Sequence, residues 1–142
     1  MNWNLLKFSL PFAFLMLIVS CGDAQQSNQQ THSKATAENI SPEKFREMTM
    51  KMENITLLDV RSDKECGEGM IEGAIQMNYY DKDFKSQLES LPKDKPVLVY
   101  CAVGGRSGSA VQMLHSAGIQ TVYNMDGGID AWRKKGYPTV KK

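Results

Sequence analysis

Three cysteines in 142 residues, at positions 21, 66 and 101, are too few and too scattered for a disulfide scaffold or a zinc site. Excess charge of either sign is also missing. Seventeen basic residues face sixteen acidic ones, a net charge of +1, which is not the profile of a strongly basic nucleic-acid binder. No apolar run reaches the roughly 20 residues of a comfortable membrane span. With 42% hydrophobic and 23% charged residues, the chain is neither a polytopic membrane protein nor wholly disordered. It holds no internal repeat, and its length suits one domain rather than two.

Charge is scarcest at the start, where Lys7 is the only charged side chain in the first twenty-two residues. Phe8 to Val19 is dominantly apolar, broken by Ser9 and Pro11. A short basic start followed by an apolar core is the pattern of a signal peptide. Leu17-Ile18-Val19-Ser20-Cys21 resembles the lipobox of bacterial lipoproteins. That resemblance implies cleavage before Cys21, lipid attachment to its thiol, and a domain held at a membrane of the cell envelope, outside the cytoplasm. The alternative is a secretory leader with an incidental cysteine. Loss of residues 1–20 removes Lys7 and no acid, leaving sixteen charges of each sign and no electrostatic partner. Gly22 to Asn39 has no large apolar residue and is rich in Gln, Ser, Asn and Thr. Such a segment buries too little to offset its ordering entropy, so residues 21–39 are expected to be a flexible tether. Its length corresponds to a coil span of roughly 20–25 Å. His32 within it is read as solvated, with no metal role.

The folded domain is expected over residues 40–142. Ser41-Pro42 is a helix start, with a hydroxyl N-cap followed by proline, and Phe45, Met48 and Met52 follow at helical spacing. Ile55 to Val60 and Val97 to Tyr100 read as strands buried on both faces. Thr121 to Tyr123 reads as a third, and Ala74 to Met77 as a short further one. Phe84, Leu88 and Leu91 mark a helix closed by Pro92. A helix from about Ser107 to Ala117 ends at Gly118, and another runs from about Ile129 to Lys135. His115 falls on the first of these, in a surface or packing role. Strands alternating with helices predict an α/β fold with a parallel sheet, whose ligand site lies at the carboxyl ends of the strands. That rule selects Asp59 and Arg61, the loop beginning at Cys101, and Asp126-Gly127-Gly128.

Cys101-Ala102-Val103-Gly104-Gly105-Arg106-Ser107 carries the chemistry. A cysteine directly follows a buried strand and a helix begins near the arginine. Two glycines permit the backbone N–H groups to turn inward as an anion nest. The helix N-terminus adds partial positive charge, and Arg106 a full one. All three favour a thiolate at Cys101, the nucleophilic form, and would equally hold an anionic sulfur attached to it. Taken singly, Cys101 could be a buried space-filler and the glycines mere turn residues. Their joint placement between strand and helix argues otherwise.

These blocks resemble a single-domain rhodanese, a sulfurtransferase homology domain, from about Ile40 to Val140. Leu57-Leu58-Asp59-Val60-Arg61 matches the family's first strand and its Asp-Val-Arg ending. Glu65, Gly69, Ile71, Gly73-Ala74-Ile75 and Asn78 match the block that follows. Val99 to Ser107 matches the active loop. Asn124, Gly127-Gly128, Ala131-Trp132 and Gly136-Tyr137-Pro138 match the C-terminal block. The resemblance implies a three-layer α/β/α fold with a central, mainly parallel sheet flanked by helices. It implies that Cys101 is the nucleophile and persulfide carrier. The sulfur would come from a small anionic donor such as thiosulfate and pass to a thiol or cyanide. The N–H groups of Ala102, Val103, Gly104, Gly105 and Arg106, with Ser107, would hold the outer sulfur. Arg106 and Arg61 would attract the donor, and Asp59 would orient the loop by hydrogen bonding. Trp132 is expected in the core. No cofactor, metal or nucleic-acid partner is implied, and a monomer is the default.

Two positions depart from the family pattern. Met70 stands where a histidine is usual, and Cys66 where an aromatic residue is. Cys66 is read as space-filling; the alternative is a second thiol able to resolve a persulfide or pair with Cys101. Two other functions compete. One is a catalytically silent docking or sensory module, against which the intact loop argues. The other is a phosphatase-like activity, disfavoured because only four residues separate Cys101 from Arg106, where related phosphatases have five.

Overall fold

The computed structural model describes residues 34–141. The apolar leader, Cys21, His32 and most of the expected tether lie outside the described residues. Ten elements follow in chain order: β1 (Thr36–Ile40), α1 (Pro42–Lys51), β2 (Thr56–Asp59), α2 (Asp63–Gly67), β3 (Ile75–Gln76), α3 (Phe84–Glu89), β4 (Val97–Tyr100), α4 (Gly105–Ser116), β5 (Thr121–Met125) and α5 (Gly128–Lys134). The strands form one parallel sheet in the order β1-β5-β4-β2-β3. Phe84 and Leu88 of α3, with Ala110 and Leu114 of α4, pack against one face. Phe45 and Met48 of α1, with Ile129 and Trp132 of α5, pack against the other. This is the expected three-layer α/β/α architecture.

Local chemistry places these elements. Ser41 Oγ accepts the Lys44 N–H at 3.3 Å and Pro42 opens α1, so the helix starts where its backbone donors need a partner. Phe45 then meets Tyr100 and Trp132 edge-on, with ring centroids 6.1 and 6.3 Å apart. The central strands β2 and β4 are buried at every position, as their continuous apolar character requires. With helices on both sides of β4, the chain emerging after Tyr100 enters the site at a fixed point.

The structure moves two boundaries and adds two elements. β1 begins at Thr36, so the domain starts at least four residues before the expected boundary at 40. Four of its five residues are exposed, and it is held chiefly by backbone pairing with β5, with Ile40 as its one core residue. A polar edge strand carries no apolar alternation to read. α2, also unexpected, is a short turn of helix begun by Ser62, whose N–H and Oγ both bond Glu65 Oε2, at 3.0 and 2.6 Å. α4 begins at Gly105, two residues earlier than read, because Gly104 takes the cap position at φ +98°.

Candidate active site

Cys101 leaves the end of β4 with 1% of its surface exposed. The chain turns at Gly104 and enters α4, bringing the Gly104 N–H to 3.1 Å from Cys101 Sγ. Ser107, fully buried on the first turn of α4, places its Oγ 3.5 Å from the same sulfur and 3.1 Å from the Gly104 carbonyl. Its single hydroxyl proton can serve one acceptor at a time. A charged sulfur is the stronger claimant. Burial pushes the Cys101 thiol up, but hydrogen bonds from the Ser107 hydroxyl and from the N–H groups of Ser107, Gly104 and Val103 outweigh it, and the thiol lies below its ordinary range. Ser107, expected on the substrate, is therefore seen against the Cys101 sulfur.

The outward turn of the loop's carbonyls is fixed from α5. The N–H of Ile129 donates to the Cys101 carbonyl at 2.9 Å, and that of Asp130 to the Ala102 carbonyl at 3.1 Å. With those carbonyls held, the N–H groups on the other side of the peptide planes are left to face the sulfur. Gly128 makes the approach possible. Its φ is +57°, and a Cβ there would stand 2.4 Å from the carbonyl oxygens of both Cys101 and Ala102. The Gly127-Gly128 pair is thus the back wall of the active loop. Its position after β5 is evident from the sequence; its contact with the Cys101 loop is not.

Arg106 is not the free charge expected. Its Nη1 and Nη2 donate to Glu65 Oε2 and Oε1 at 2.9 and 2.5 Å, and its guanidinium lies 5.5 Å from the centre of the Tyr80 ring. The bidentate Arg106 contact, aided by Ser62, holds the Glu65 carboxyl down to about 2. Glu65 in turn raises the arginine. A cation neutralised by its own carboxylate contributes little long-range attraction. The field favouring an anion at the sulfur comes chiefly from the loop N–H groups and the α4 N-terminus. Glu65 and Tyr80 were missed as functional neighbours. The Ser62-x-x-Glu65 spacing could have announced α2, though not its reach of forty-one residues to Arg106.

Arg61 corrects the reading more sharply. Only 2% exposed, it binds Asp59 through Nε and Nη2 at 2.6–3.0 Å, and donates to the carbonyls of Glu65 and Gly69 at 3.1 and 2.8 Å. It has no face turned to an incoming donor. Burial alone would lower it, but the Asp59 carboxylate keeps it raised and charged. Asp59 makes no hydrogen bond to the loop itself. It acts at one remove, by fixing the arginine that ties down the segment carrying Glu65. Cys66 is fully buried in α2, with Sγ 3.9 Å from the Arg61 carbonyl, and no disulfide joins it to Cys101. Met70 is buried and pairs its backbone with Val140 in both directions at 2.8 Å. Trp132 lies in the core, donating Nε1–H to the Pro138 carbonyl at 2.9 Å. His115 is half-buried with Nδ1 2.9 Å from the Ile119 carbonyl. Among the described residues no group of three or more His, Cys, Asp or Glu could hold a metal.

The arrangement defines a class: parallel α/β domains built around an activated thiol in a strand-to-helix loop that presents N–H groups to an anion. The sequence matches the rhodanese-like domain family over residues 41–135, and the chain belongs to that family. A sulfurtransferase of Allochromatium vinosum is 34% identical over 101 residues, covering 71% of this chain and 92% of the relative. A thiosulfate sulfurtransferase of Pseudomonas entomophila is 34% identical over 100 residues, covering 70% and 86%. The crystal structure of a rhodanese-like domain protein from Staphylococcus aureus superposes with a TM-score of 0.64 at 27% identity, covering 74% of this chain and 98% of that one.

Proposed function

We propose that this protein is a sulfurtransferase that carries a sulfane sulfur as a persulfide on Cys101. In the first half-reaction the Cys101 thiolate attacks the outer sulfur of thiosulfate. A sulfur–sulfur bond forms to Cys101, the donor's own sulfur–sulfur bond breaks, and sulfite leaves with that bond's electron pair. In the second, a thiolate or cyanide attacks the outer sulfur of the persulfide and Cys101 leaves as thiolate. The observation that carries this reading is the Cys101 sulfur set within a ring of donors, the Gly104 N–H at 3.1 Å and the Ser107 hydroxyl at 3.5 Å among them. The same ring would stabilise the terminal persulfide anion. The loop's four-residue span suits one sulfur atom rather than a tetrahedral phosphate.

The lipobox-like Leu17 to Cys21 supports a site of action at the bacterial cell envelope, with the domain held to a membrane through Cys21. Incorporation of an alkyne-tagged fatty acid, abolished in Cys21→Ser, is the expected result; equal labelling of the variant would refute the anchor.

Intact-mass spectrometry of the reduced full-length protein after incubation with thiosulfate tests the chemistry. The expected result is a gain of one sulfur atom, absent in Cys101→Ser and removed by cyanide. An unchanged mass with Cys101 reduced and alkylatable would refute persulfide formation from thiosulfate and bring the docking-module reading forward. Hydrolysis of an aryl phosphate would instead favour the phosphatase.

A further inference from the structure

Arg106 is the only charged residue between Cys101 and Ser107. A doubly charged donor has no other side-chain cation in the loop to meet. The guanidinium is occupied on two sides. Its end is held by the Glu65 carboxylate through Nη1 and Nη2, and one face lies over the Tyr80 ring, 5.5 Å from the ring centre. Only 17% of the side chain is exposed. No lysine or arginine lines the cleft that borders the loop at Gly104 and Gly105, so no second cation stands in for it there.

Glu65 is placed for this contact independently of Arg106. Its Oε2 is fixed from its own helix, by the Ser62 N–H at 3.0 Å and the Ser62 hydroxyl at 2.6 Å. Arg61, buried against Asp59, ties down the Glu65 carbonyl at 3.1 Å. A carboxylate positioned in advance loses little entropy on pairing, so it competes well with a free anion for the same guanidinium. An unanchored surface glutamate would give way easily.

We propose that Glu65 sets the donor selectivity of the site: by masking Arg106 it turns the loop away from dianionic donors and toward singly charged ones, such as an alkyl persulfide. The proposal rests on the sulfurtransferase reading above and names the charge class of its donor. Glu65 is a positioning residue, acting through Arg106 rather than on the reacting atoms. A singly charged thiosulfonate delivers sulfur by the same step as thiosulfate. The Cys101 thiolate attacks its terminal sulfur, the new sulfur–sulfur bond forms as the donor's own breaks, and a sulfinate leaves with the electron pair. No external oxidant or reductant is consumed.

The test uses the full-length protein with excess cyanide as acceptor, and thiocyanate release gives kcat/KM for each donor. In a two-step transfer that ratio reports the loading half-reaction. Thiosulfate is the dianion and methanethiosulfonate the monoanion. Both meet the same thiolate, so comparing them cancels any change in the thiol itself. Coulomb energy scales with donor charge, so the gain for the dianion is the square of that for the monoanion. In Glu65→Gln, which keeps the side chain's length and an accepting oxygen, kcat/KM should rise about tenfold for thiosulfate and about threefold for methanethiosulfonate at low ionic strength. The rise should sit in KM and shrink as salt is added. In an Arg106→Gln background the same substitution should move neither donor. Equal or absent gains, or gains that persist without Arg106, overturn the proposal. The unaltered protein gives a check that needs no variant: its thiosulfate kcat/KM should vary by less than about twofold between low and high salt, and a steep fall would show Arg106 already free. Turnover of neither donor, with no sulfur gained at Cys101, overturns the parent reading and this one together. Turnover without the charge-dependent gain overturns this one alone.

Discussion

Substituting Gly128 by alanine should damage the active loop from behind without touching it chemically. The new Cβ would lie 2.4 Å from the Cys101 and Ala102 carbonyl oxygens and 2.5 Å from the Ala102 carbonyl carbon. These are backbone atoms, so no side chain can swing away to make room. The left-handed φ of +57° adds roughly 1–2 kcal/mol for a residue with a Cβ. Relief of the overlap pushes α5 off the loop and weakens the bonds from Ile129 and Asp130, each worth about 1 kcal/mol. The combined cost is about 3–4 kcal/mol. That is serious, yet smaller than the stability of a typical domain. For a domain of this size it lowers Tm by about 15–20 °C. Chemical denaturation gives the stability, and the pH profile of iodoacetamide alkylation gives the thiol. Once the carbonyls are released the N–H groups lose their inward orientation, so the alkylation midpoint of the folded variant should move up. Gly105→Ala is the control: its Cβ meets nothing within 4 Å and its φ is not left-handed, so stability should change little. A Gly128→Ala protein as stable as the parent, with an unmoved alkylation profile, would refute the idea that α5 sets the loop.

Arg61→Lys should cost about 3 kcal/mol in denaturant unfolding, since one ammonium cannot replace the paired and carbonyl-bound donors of a buried guanidinium; a variant of normal stability with only a raised KM for thiosulfate would restore the donor-binding role. Ser107→Ala removes the hydroxyl beside Sγ, so alkylation at neutral pH should slow by about three- to tenfold as the thiol rises; an unchanged profile would assign the lowering to the backbone alone. Glu65→Gln should flatten the acid limb of the stability curve. The carboxyl is held down in the fold, so its contribution is full above the unfolded value near 4.5 and is lost as pH falls toward about 2. The bidentate pair is partly exposed, so the difference between variant and parent at pH 7 should be about 1 kcal/mol, and it should vanish near pH 2.

Elements with an apolar rhythm were legible and those without one were not. β2 and β4 announce themselves because both faces are buried and every residue says so. α1 does because serine, proline and spaced apolar residues agree. β1 is held by backbone pairing to β5, and its side chains are mostly in water, so Thr36 to Asn39 read like the polar segment before them. At the site, Cys101 and the glycine turn were legible because their chemistry is local: a strand, a thiol, a turn and a helix within a few residues. The arginines were not. Arg61 and Arg106 each follow a buried strand at a short distance, and each could have faced an anion. What separates them is tertiary. The Asp59 carboxylate two residues away, with the carbonyls of Glu65 and Gly69, takes up Arg61 inside the fold, while Arg106 reaches across to Glu65 at the loop's rim.

That difference explains how a chain whose net charge is only +1 can still favour an anionic sulfur. With both nearby arginines paired to carboxylates, net charge at the site is close to balanced, and the preference for a thiolate has to come from dipoles. Backbone dipoles act only if their orientation is imposed, because a loop of small residues left to itself would turn its N–H groups to solvent as readily as inward. The imposition comes from a segment twenty-six residues further on, where Gly127-Gly128 lets α5 come close enough to hold the carbonyls of Cys101 and Ala102. β4 and β5 are neighbours in the sheet, so the ends of both arrive at one place, and parallel pairing brings the glycine pair against the Cys101 loop. On this account the reactivity of Cys101 is set by the sheet order, through α5, and depends little on ionic strength. A thiol governed by unpaired arginines would show an alkylation midpoint that rises steeply with added salt. The expected midpoint is nearly constant between low and high ionic strength, and a large upward shift would transfer the credit back to Arg106.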